Sequence, residues 1–376
     1  MSTSIKHVAH VITGLNDGGA EGALFRLCQA DGGTRHTVIS MMDLGKYGPL
    51  MEQCGVKVIA LGMPQGKITP KGLYILWIWL RKLRPDTVQT WLYHADLIGG
   101  VIARLAGVRR VFWGIRHSNL SPGTVKSSTI LVAKLCARLS RWVPYKIISC
   151  SRQAIQPHAA IGYDTERFLV IPNGYNLAQF RPLPQQACDL RAQLGIGPDT
   201  VVLGMVGRFD PQKDHRNLLD ALAAMNSDRK LICLLVGTGM DEGNQALTTM
   251  LEETGTAQQV KLLGRRSDIP AVMSALDIHV LSSLGEAFPN VLAEAMACGT
   301  PCVTTNVGDA ALIVDDTGWI VPPMNPKALA RALERAVTAL DNSESWRRRC
   351  FYAKRRIEKT FSIQTMVNSY HAAWRD

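Results

Sequence analysis

The chain has 376 residues, 47% of them apolar and 19% charged, with no long biased tract. That length exceeds the size at which one hydrophobic core normally stops growing, so two domains are expected, with ample apolar material for two cores and little case for disorder. Residues 1–181 hold 22 of the 42 Lys+Arg and 9 of the 31 Asp+Glu, a net of +13, which leaves 20 basic and 22 acidic residues beyond, a net of −2.

The basic first half calls for an anionic partner (nucleic acid, an anionic membrane or a phosphorylated acceptor) or serves solubility alone. Nine cysteines, an odd number without CxxC or Cys/His ligand spacing, read as thiols of a reducing cytosol. The N-terminal MSTSIKHVAHVI is too short for the apolar region of a signal peptide. The longest apolar run, Leu73 to Leu80, is eight residues against the roughly 20 that a membrane helix needs.

Short runs rich in Val and Ile alternate with longer helical patterns twice along the chain, which predicts parallel α/β layers in each half. The first strand, HVAHVITGL, runs into Gly18-Gly19-Ala20-Glu21 at the start of a helix. Its glycines either let the backbone approach a ligand or make a plain tight turn. HTVISM and VKVIAL follow as strands, and then LYILWIWLRKLR, preceded by Lys67 and Lys71, joins aromatic bulk to a basic end. DTVQTWL is the fourth strand, with His94 just beyond it; RVFWGI is the fifth and leads to His117, which suits a satisfied histidine as well as a ligand contact.

From Thr124 to Trp142 a helical pattern places Ile130, Leu131, Leu135, Leu139 and Trp142 near one face and Lys126, Lys134, Arg138 and Arg141 on another. Such a basic amphipathic helix fits an anionic bilayer surface, or a core-facing helix with a solvated back. KIISCS and FLVIPNG complete the first set of strands. Two prolines within Phe180-Arg181-Pro182-Leu183-Pro184 predict a linker, dividing the chain into domains 1–182 and 183–359. A helix over 360–376, with Phe361, Met366, Val367, Tyr370 and Trp374 on overlapping faces, is expected to pack back on the first domain.

The second set of strands reads TVVLGMVG, LICLLVG, QVKLLG, IHVLSS and PCVTT. Arg208 and Lys213 follow the first of these, either as surface cations of a strand-to-helix loop or as counter-charges for an anion. After IHVLSS comes Ser283-Leu284-Gly285-Glu286-Ala287-Phe288-Pro289-Asn290, and Glu294 stands eight positions after Glu286. Pro289 and Asn290 suit a helix start, whose free N–H groups would face the crevice beyond the strand end and favour an anion. Glu294, one to two turns in, can reach the same crevice and accept from vicinal hydroxyls such as those of a ribose. Taken singly, an acid near a helix N-terminus also needs no ligand, and Glu286 is a loop acid.

Glu286, seven residues, Glu294, then AMACGTPCV and DDTGWIVPP resemble the retaining glycosyltransferases of family four, which have the GT-B fold. GLNDGGAE, IPNGYN and VGRFDPQKD extend the resemblance through most of the chain. It implies two Rossmann-like domains facing each other across a cleft, and a hexosyltransferase-type enzyme. By the same resemblance Glu286 contacts hydroxyls of the donor sugar and Glu294 holds the nucleotide ribose. The backbone of Phe288, Pro289 and Asn290 lies against sugar and diphosphate, and Arg208 and Lys213 neutralise the leaving diphosphate. Gly18 and Gly19 form the donor-side loop of the first domain, and His117 faces the donor sugar. Where the family most often has Gly after the first Glu, this chain has Ala287, which would be strained if the backbone required φ > 0.

The expected donor is a nucleotide diphosphate sugar, UDP favoured. The expected acceptor is a polyprenyl diphosphate-linked glycan, in bacterial surface glycan synthesis at the cytoplasmic face of the plasma membrane, with the basic first domain touching anionic lipid and no nucleic acid. No Asp-x-Asp triplet occurs, so no metal or other cofactor is expected. Two rivals explain less. A nicotinamide-dependent oxidoreductase needs a third glycine where Val236-Gly237-Thr238-Gly239-Met240-Asp241-Glu242 has Glu242. A non-catalytic membrane- or nucleic-acid-binding module gives no reason for the paired glutamates with Arg208 and Lys213.

Overall fold

The structure, a computed structural model, describes residues 6–118, 120 and 126–375. It divides into two compact units, Met1–Gly174 with Ile363–Asp376, and Tyr175–Ser362. Each is a Rossmann-like parallel sheet between helices. The first sheet has seven strands, β1 (His7–Ile12), β2 (Arg35–Ser40), β3 (Lys57–Ala60), β4 (Thr87–Trp91), β5 (Arg110–Ile115), β6 (Lys146–Ser149) and β7 (Phe168–Val170), in the order β3-β2-β1-β4-β5-β6-β7. Every residue of the central β1 and β4 is buried, as a strand covered by helices on both faces requires.

The second sheet has six strands, β8 (Val201–Val206), β9 (Leu231–Val236), β10 (Val260–Leu262), β11 (Ile278–Leu281), β12 (Cys302–Thr305) and β13 (Trp319–Val321), in the order β10-β9-β8-β11-β12-β13. The twelve strands expected from sequence are all present. β13 was not anticipated as a strand, because three residues give too short a run for periodicity to register.

Two expectations are corrected. The prolines of 180–184 do not form a linker: Phe180 is buried, the Leu183 N–H donates to Ser274 Oγ, and Pro184 opens the helix Pro184–Gln193, so all lie within the second unit. Proline at a first helical turn lacks only an N–H that would go unpaired anyway. The crossing points are instead Gly174–Tyr175 and Ser362–Ile363; the Tyr175 N–H donates to Phe361 O inside the second unit. The first unit then closes on helix Ile363–Arg375, whose Met366, Val367, Tyr370, Ala373 and Trp374 join Val8, Leu24 and Phe112 in one core.

The second correction concerns helix Ser127–Leu139; Thr124, where the pattern was expected to start, lies outside the described residues. The small Ala133, Cys136 and Ala137 are buried, while Leu131, Leu135 and Trp142 stand exposed on the side that carries Lys134, Arg138 and Arg141. Apolar bulk and cations therefore share the solvent side, because small residues let the helix sit close to its neighbour. Among the described residues no helix is long and apolar enough to cross a membrane.

Candidate functional site

In an open parallel sheet, ligands bind beyond the carboxyl ends of the strands where the strand order reverses. In the second unit that reversal falls between β8 and β11, and both loops there carry expected site residues. The β8 loop is rigidly built. Asp210 accepts from the Gln212 N–H at 2.9 Å, and Asp214, at φ 49°, caps the helix His215–Ala224 by accepting from the Asn217 N–H. Ser282, just after β11, donates to both Lys213 O and Asp214 O at 2.9 Å, and the Leu284 N–H donates to Gln212 O at 2.8 Å. The two loops are thus stitched together before their charged side chains are considered.

Those side chains meet. Lys213 Nζ donates to Glu286 Oε1 at 2.6 Å, and Ser283 Oγ donates to the same oxygen at 2.8 Å. Both charged groups are mostly buried, at 17% and 15% exposure, so the pair is far less screened than a surface ion pair. His215 and His279, beneath the loop, are pushed down to about 4 and about 3 by burial and then by the Lys213 charge, so both are neutral at pH 7. Arg208 points differently: its Nε and Nη2 both bond Asp210 Oδ2 at 3.0 Å, and its side chain is 62% exposed. Burial opposes ionisation of Asp210, but the Gln212 N–H and Arg208 outweigh it and hold the carboxyl below its usual range.

Helix Asn290–Ala297 begins as expected, with Pro289 at the N-cap and no side chain capping it. Asn290 Oδ1 accepts from Tyr175 Oη at 2.6 Å, and Phe288 is buried edge-on against Phe361 at 5.5 Å. Glu294 lies on the second turn, half-buried. Ala287 does not have a positive φ; the non-glycine residues that do, among those described, are Arg84, Leu92, Asp214, Asp315 and Met324. The feared strain at Ala287 is therefore absent, and the left-handed residue beside this loop is Gly308, at φ 50°. A Cβ there would run into the carbonyl oxygens of Glu286 and Ala287. The Asp309 N–H donates to Ala287 O at 3.0 Å, so the segment from Gly308 fixes the glutamate loop from behind.

In the first unit the reversal falls between β1 and β4. Gly18 follows β1 as the extended N-cap (φ −153°) of helix Gly19–Ala30, and Gly19 is exposed. The Glu21 carboxylate folds back to where a Gly18 side chain would stand, and burial raises its pKa. His117 follows β5, exposed, its ring stacked at 5.8 Å on buried Tyr93. Tyr93 Oη bonds His158 Nε2 at 2.7 Å; the other nitrogen of His158 donates to Ala154 O, and burial lowers its pKa to about 4, so Tyr93 must be the donor. The expected residues thus fall into two sets, each at the carboxyl ends of its own sheet. Ser282, Ser283, Tyr175, Gly308 and Glu21 were missed as participants; two serines directly after a strand in IHVLSS were the available signal.

One cluster invites a metal reading: His10, Cys28 and His36 lie buried with their ligand atoms within 4.8 Å of one another. Spacing along the chain could not reveal it, since β1, the first helix and β2 contribute one residue each. The hydrogen bonds assign it otherwise. Trp91 Nε1 donates to His10 Nδ1 at 3.2 Å, so the proton of neutral His10 is on Nε2 and goes to His36 Nδ1 at 2.9 Å; His36 Nε2 then donates to Asp31. Every imidazole lone pair is used, and burial raises the Cys28 thiol above its ordinary range.

With this geometry established, comparison with known proteins is decisive. Residues 17–179 match the model of Glycosyltransferase Family 4, and residues 200–339 match Glycosyl transferases group 1. The chain belongs to this family of glycosyltransferases. A galactosyltransferase of Escherichia coli, UDP-Gal:alpha-D-GlcNAc-diphosphoundecaprenol alpha-1,3-galactosyltransferase, is 28% identical over 279 residues, covering 70% of each chain. D-inositol 3-phosphate glycosyltransferase of Corynebacterium glutamicum is 33% identical over 192 residues, 48% of this chain and 45% of that one. Anabaena HepE, solved in complex with UDP, superimposes with TM-score 0.82 at 24% identity, covering 96% and 98% of the two chains. The lipopolysaccharide glycosyltransferase WaaG gives 0.71 at 18% identity over 97% and 98%. These solved neighbours establish the fold, that of the GT-B glycosyltransferases.

Proposed function

We propose that this glycosyltransferase moves a hexosyl group from a nucleotide diphosphate sugar, UDP favoured, to a lipid-linked glycan acceptor with retention of the anomeric configuration. The carrying observation is the Lys213–Glu286 pair at the strand reversal of the second sheet, beside the uncapped helix start at Asn290. As the glycosidic bond breaks, negative charge grows on the leaving diphosphate. Fixed cations and helix-end amides there stabilise the transition state more than the ground state. Lys213 is already oriented; Arg208, exposed and held only by Asp210, is free to turn to the phosphates. Glu286 is left to accept from sugar hydroxyls, and Glu294 from the ribose.

Retention is carried over from the family resemblance; with Glu286 Oε1 committed to Lys213 and Ser283, a front-face route without a covalent intermediate suits these loops better than double displacement. The departing phosphate then takes the acceptor proton. Support for the donor comes from Anabaena HepE, solved with UDP and with UDP-glucose, and for the acceptor from the Escherichia coli relative, named for a diphosphoundecaprenol-linked substrate. The exposed Leu131, Leu135 and Trp142 among Lys134, Arg138 and Arg141 support contact with an anionic membrane face.

A thermal-shift series tests the donor reading. Stabilisation by UDP, about 2.7 kcal/mol at one hundred times Kd, is expected. Stabilisation by NAD instead, or by no nucleotide, would refute it. A panel of sugar nucleotides scored by donor hydrolysis then names the sugar.

A further inference from the structure

The second unit carries a basic groove that the sugar-transfer reaction does not use. Helix Ser343–Thr360 presents Arg348, Arg349, Tyr352, Arg355, Arg356 and Lys359 at i, i+3, i+4 spacing along one wall of a cavity of about 450 Å³. Asp316 and Thr317 form the opposite wall. Thr317 stands at the amino end of β13, whereas the sugar-transfer loops follow the carboxyl ends of β8 and β11. All these strands are parallel, so the groove lies at the other end of the sheet.

The charges within it are unbalanced. Arg356 is pinned by Ile313 O at 2.7 Å, by Leu312 O, and by Asp315 at 2.6 Å; Arg355 shares Glu358 with Lys354. The Arg349 guanidinium lies 4.4 Å over the Trp319 ring and donates to Asp316 O. Arg348, Arg349 and Lys359 make no ion pair among the described residues, and the one acid lining the cavity is Asp316. Like charges stacked along one helix face destabilise it unless an anion sits between them. The Arg349 guanidinium is also held before any ligand arrives, by the Trp319 indole and Asp316 O. A preorganised planar fork of this kind suits phosphate oxygens, with the charges of Arg348 and Lys359 beside it.

We infer that this groove binds a di- or polyphosphate anion at a site separate from the sugar-transfer loops. Its volume is within the range of small-ligand sites and exceeds what one phosphate needs. The phosphates have two possible sources, a free inorganic diphosphate or an anionic lipid headgroup; exposed Phe351 and Tyr352, at 58% and 52%, flank the groove and would suit the latter.

Calorimetric titration of the full chain with pyrophosphate tests the site in the natural protein, in K213A and in R348Q/K359Q. Arg348 and Lys359 are exposed and unpaired, so their replacement leaves the fold intact. Binding that survives in K213A and weakens about tenfold or more in R348Q/K359Q assigns it to the groove. Should pyrophosphate not bind, co-sedimentation with vesicles containing cardiolipin, whose headgroup carries two phosphates, is compared between the natural chain and R348Q/K359Q; weakening about tenfold or more in R348Q/K359Q identifies the headgroup as the source. Binding of neither, or binding indifferent to R348Q/K359Q, overturns the inference. Because K213A separates the groove from the sugar-transfer loops, each of these outcomes holds whatever the donor nucleotide proves to be.

Discussion

Lys213 and Glu286 are 73 residues apart in sequence and 2.6 Å apart in space, brought together because β8 and β11 are neighbours at the point where strand order reverses. Both loops are tied by Ser282 and Leu284 to the same backbone, so this pair is held in place before substrate binds.

Removing Lys213, or Glu294 of the neighbouring helix Asn290–Ala297, should act on the reaction rather than on the fold. Lys213→Ala and Glu294→Ala are each expected to lower turnover at least tenfold, about 1.4 kcal/mol of barrier, with circular dichroism unchanged. Near-native kcat in both variants would remove these residues from the site.

Gly308→Ala tests the support of the glutamate loop without touching a charge. At φ 50°, with its Cβ directed at Glu286 O and Ala287 O, the substitution should cost about 1–3 kcal/mol of stability and reduce activity through displacement of Glu286. Unchanged melting temperature and kcat/KM would show that the loop is not braced there.

Asp96 gives the first unit a pH dependence of defined sign. Burial, opposed by hydrogen bonds from Thr90 and the Gly114 N–H and by the Arg116 charge, raises its pKa from 3.8 to about 7. The folded state then keeps a proton that the unfolded state loses, so this contribution is complete below about pH 4 and is lost as pH rises to about 7. The total is at most about 4 kcal/mol. Asp96→Asn retains the acceptor for both donors and cannot ionise. Its melting temperature should fall less steeply than the natural protein's between pH 4 and 7; identical slopes would show that Asp96 is not the titrating group.

The surface of helix Ser127–Leu139 makes the membrane reading testable by charge reversal. K134E/R138E/R141E should abolish co-sedimentation with anionic vesicles while leaving donor hydrolysis intact, each cation contributing about 1 kcal/mol near the surface. Vesicle binding equal to that of the natural chain would refute the role of that helix.

What could be read from sequence follows from what is local. Val- and Ile-rich runs announced twelve of the thirteen strands, and Pro289-Asn290 announced a helix start, because strand periodicity and helix-end chemistry act over a few residues. The Lys213–Glu286 contact was reachable only through family resemblance, since tertiary proximity leaves no mark in spacing. The hydrogen-bonded chain from Trp91 through His10 and His36 to Asp31 left none either. The misread of Pro182 and Pro184 has a comparable cause. Proline interrupts a helix interior and initiates a helix equally well, and the two are told apart by tertiary features, the burial of Phe180 and the bond from the Leu183 N–H to Ser274.

The arrangement at the end of the chain has a consequence for biosynthesis. Helix Ile363–Arg375 supplies Tyr370 and Trp374 to the interior beneath β1, and His371 reaches Asp31 at 2.6 Å. During translation residues 6–174 emerge first, yet the piece that seals their interior leaves the ribosome only after all of Tyr175–Ser362 has been made. At about 5–20 residues per second, the earliest-made half waits some ten to forty seconds with an apolar seam uncovered. A cell expressing this enzyme has to shield that seam for as long, and a stop codon just before Ile363 would unravel the opposite end of the polypeptide.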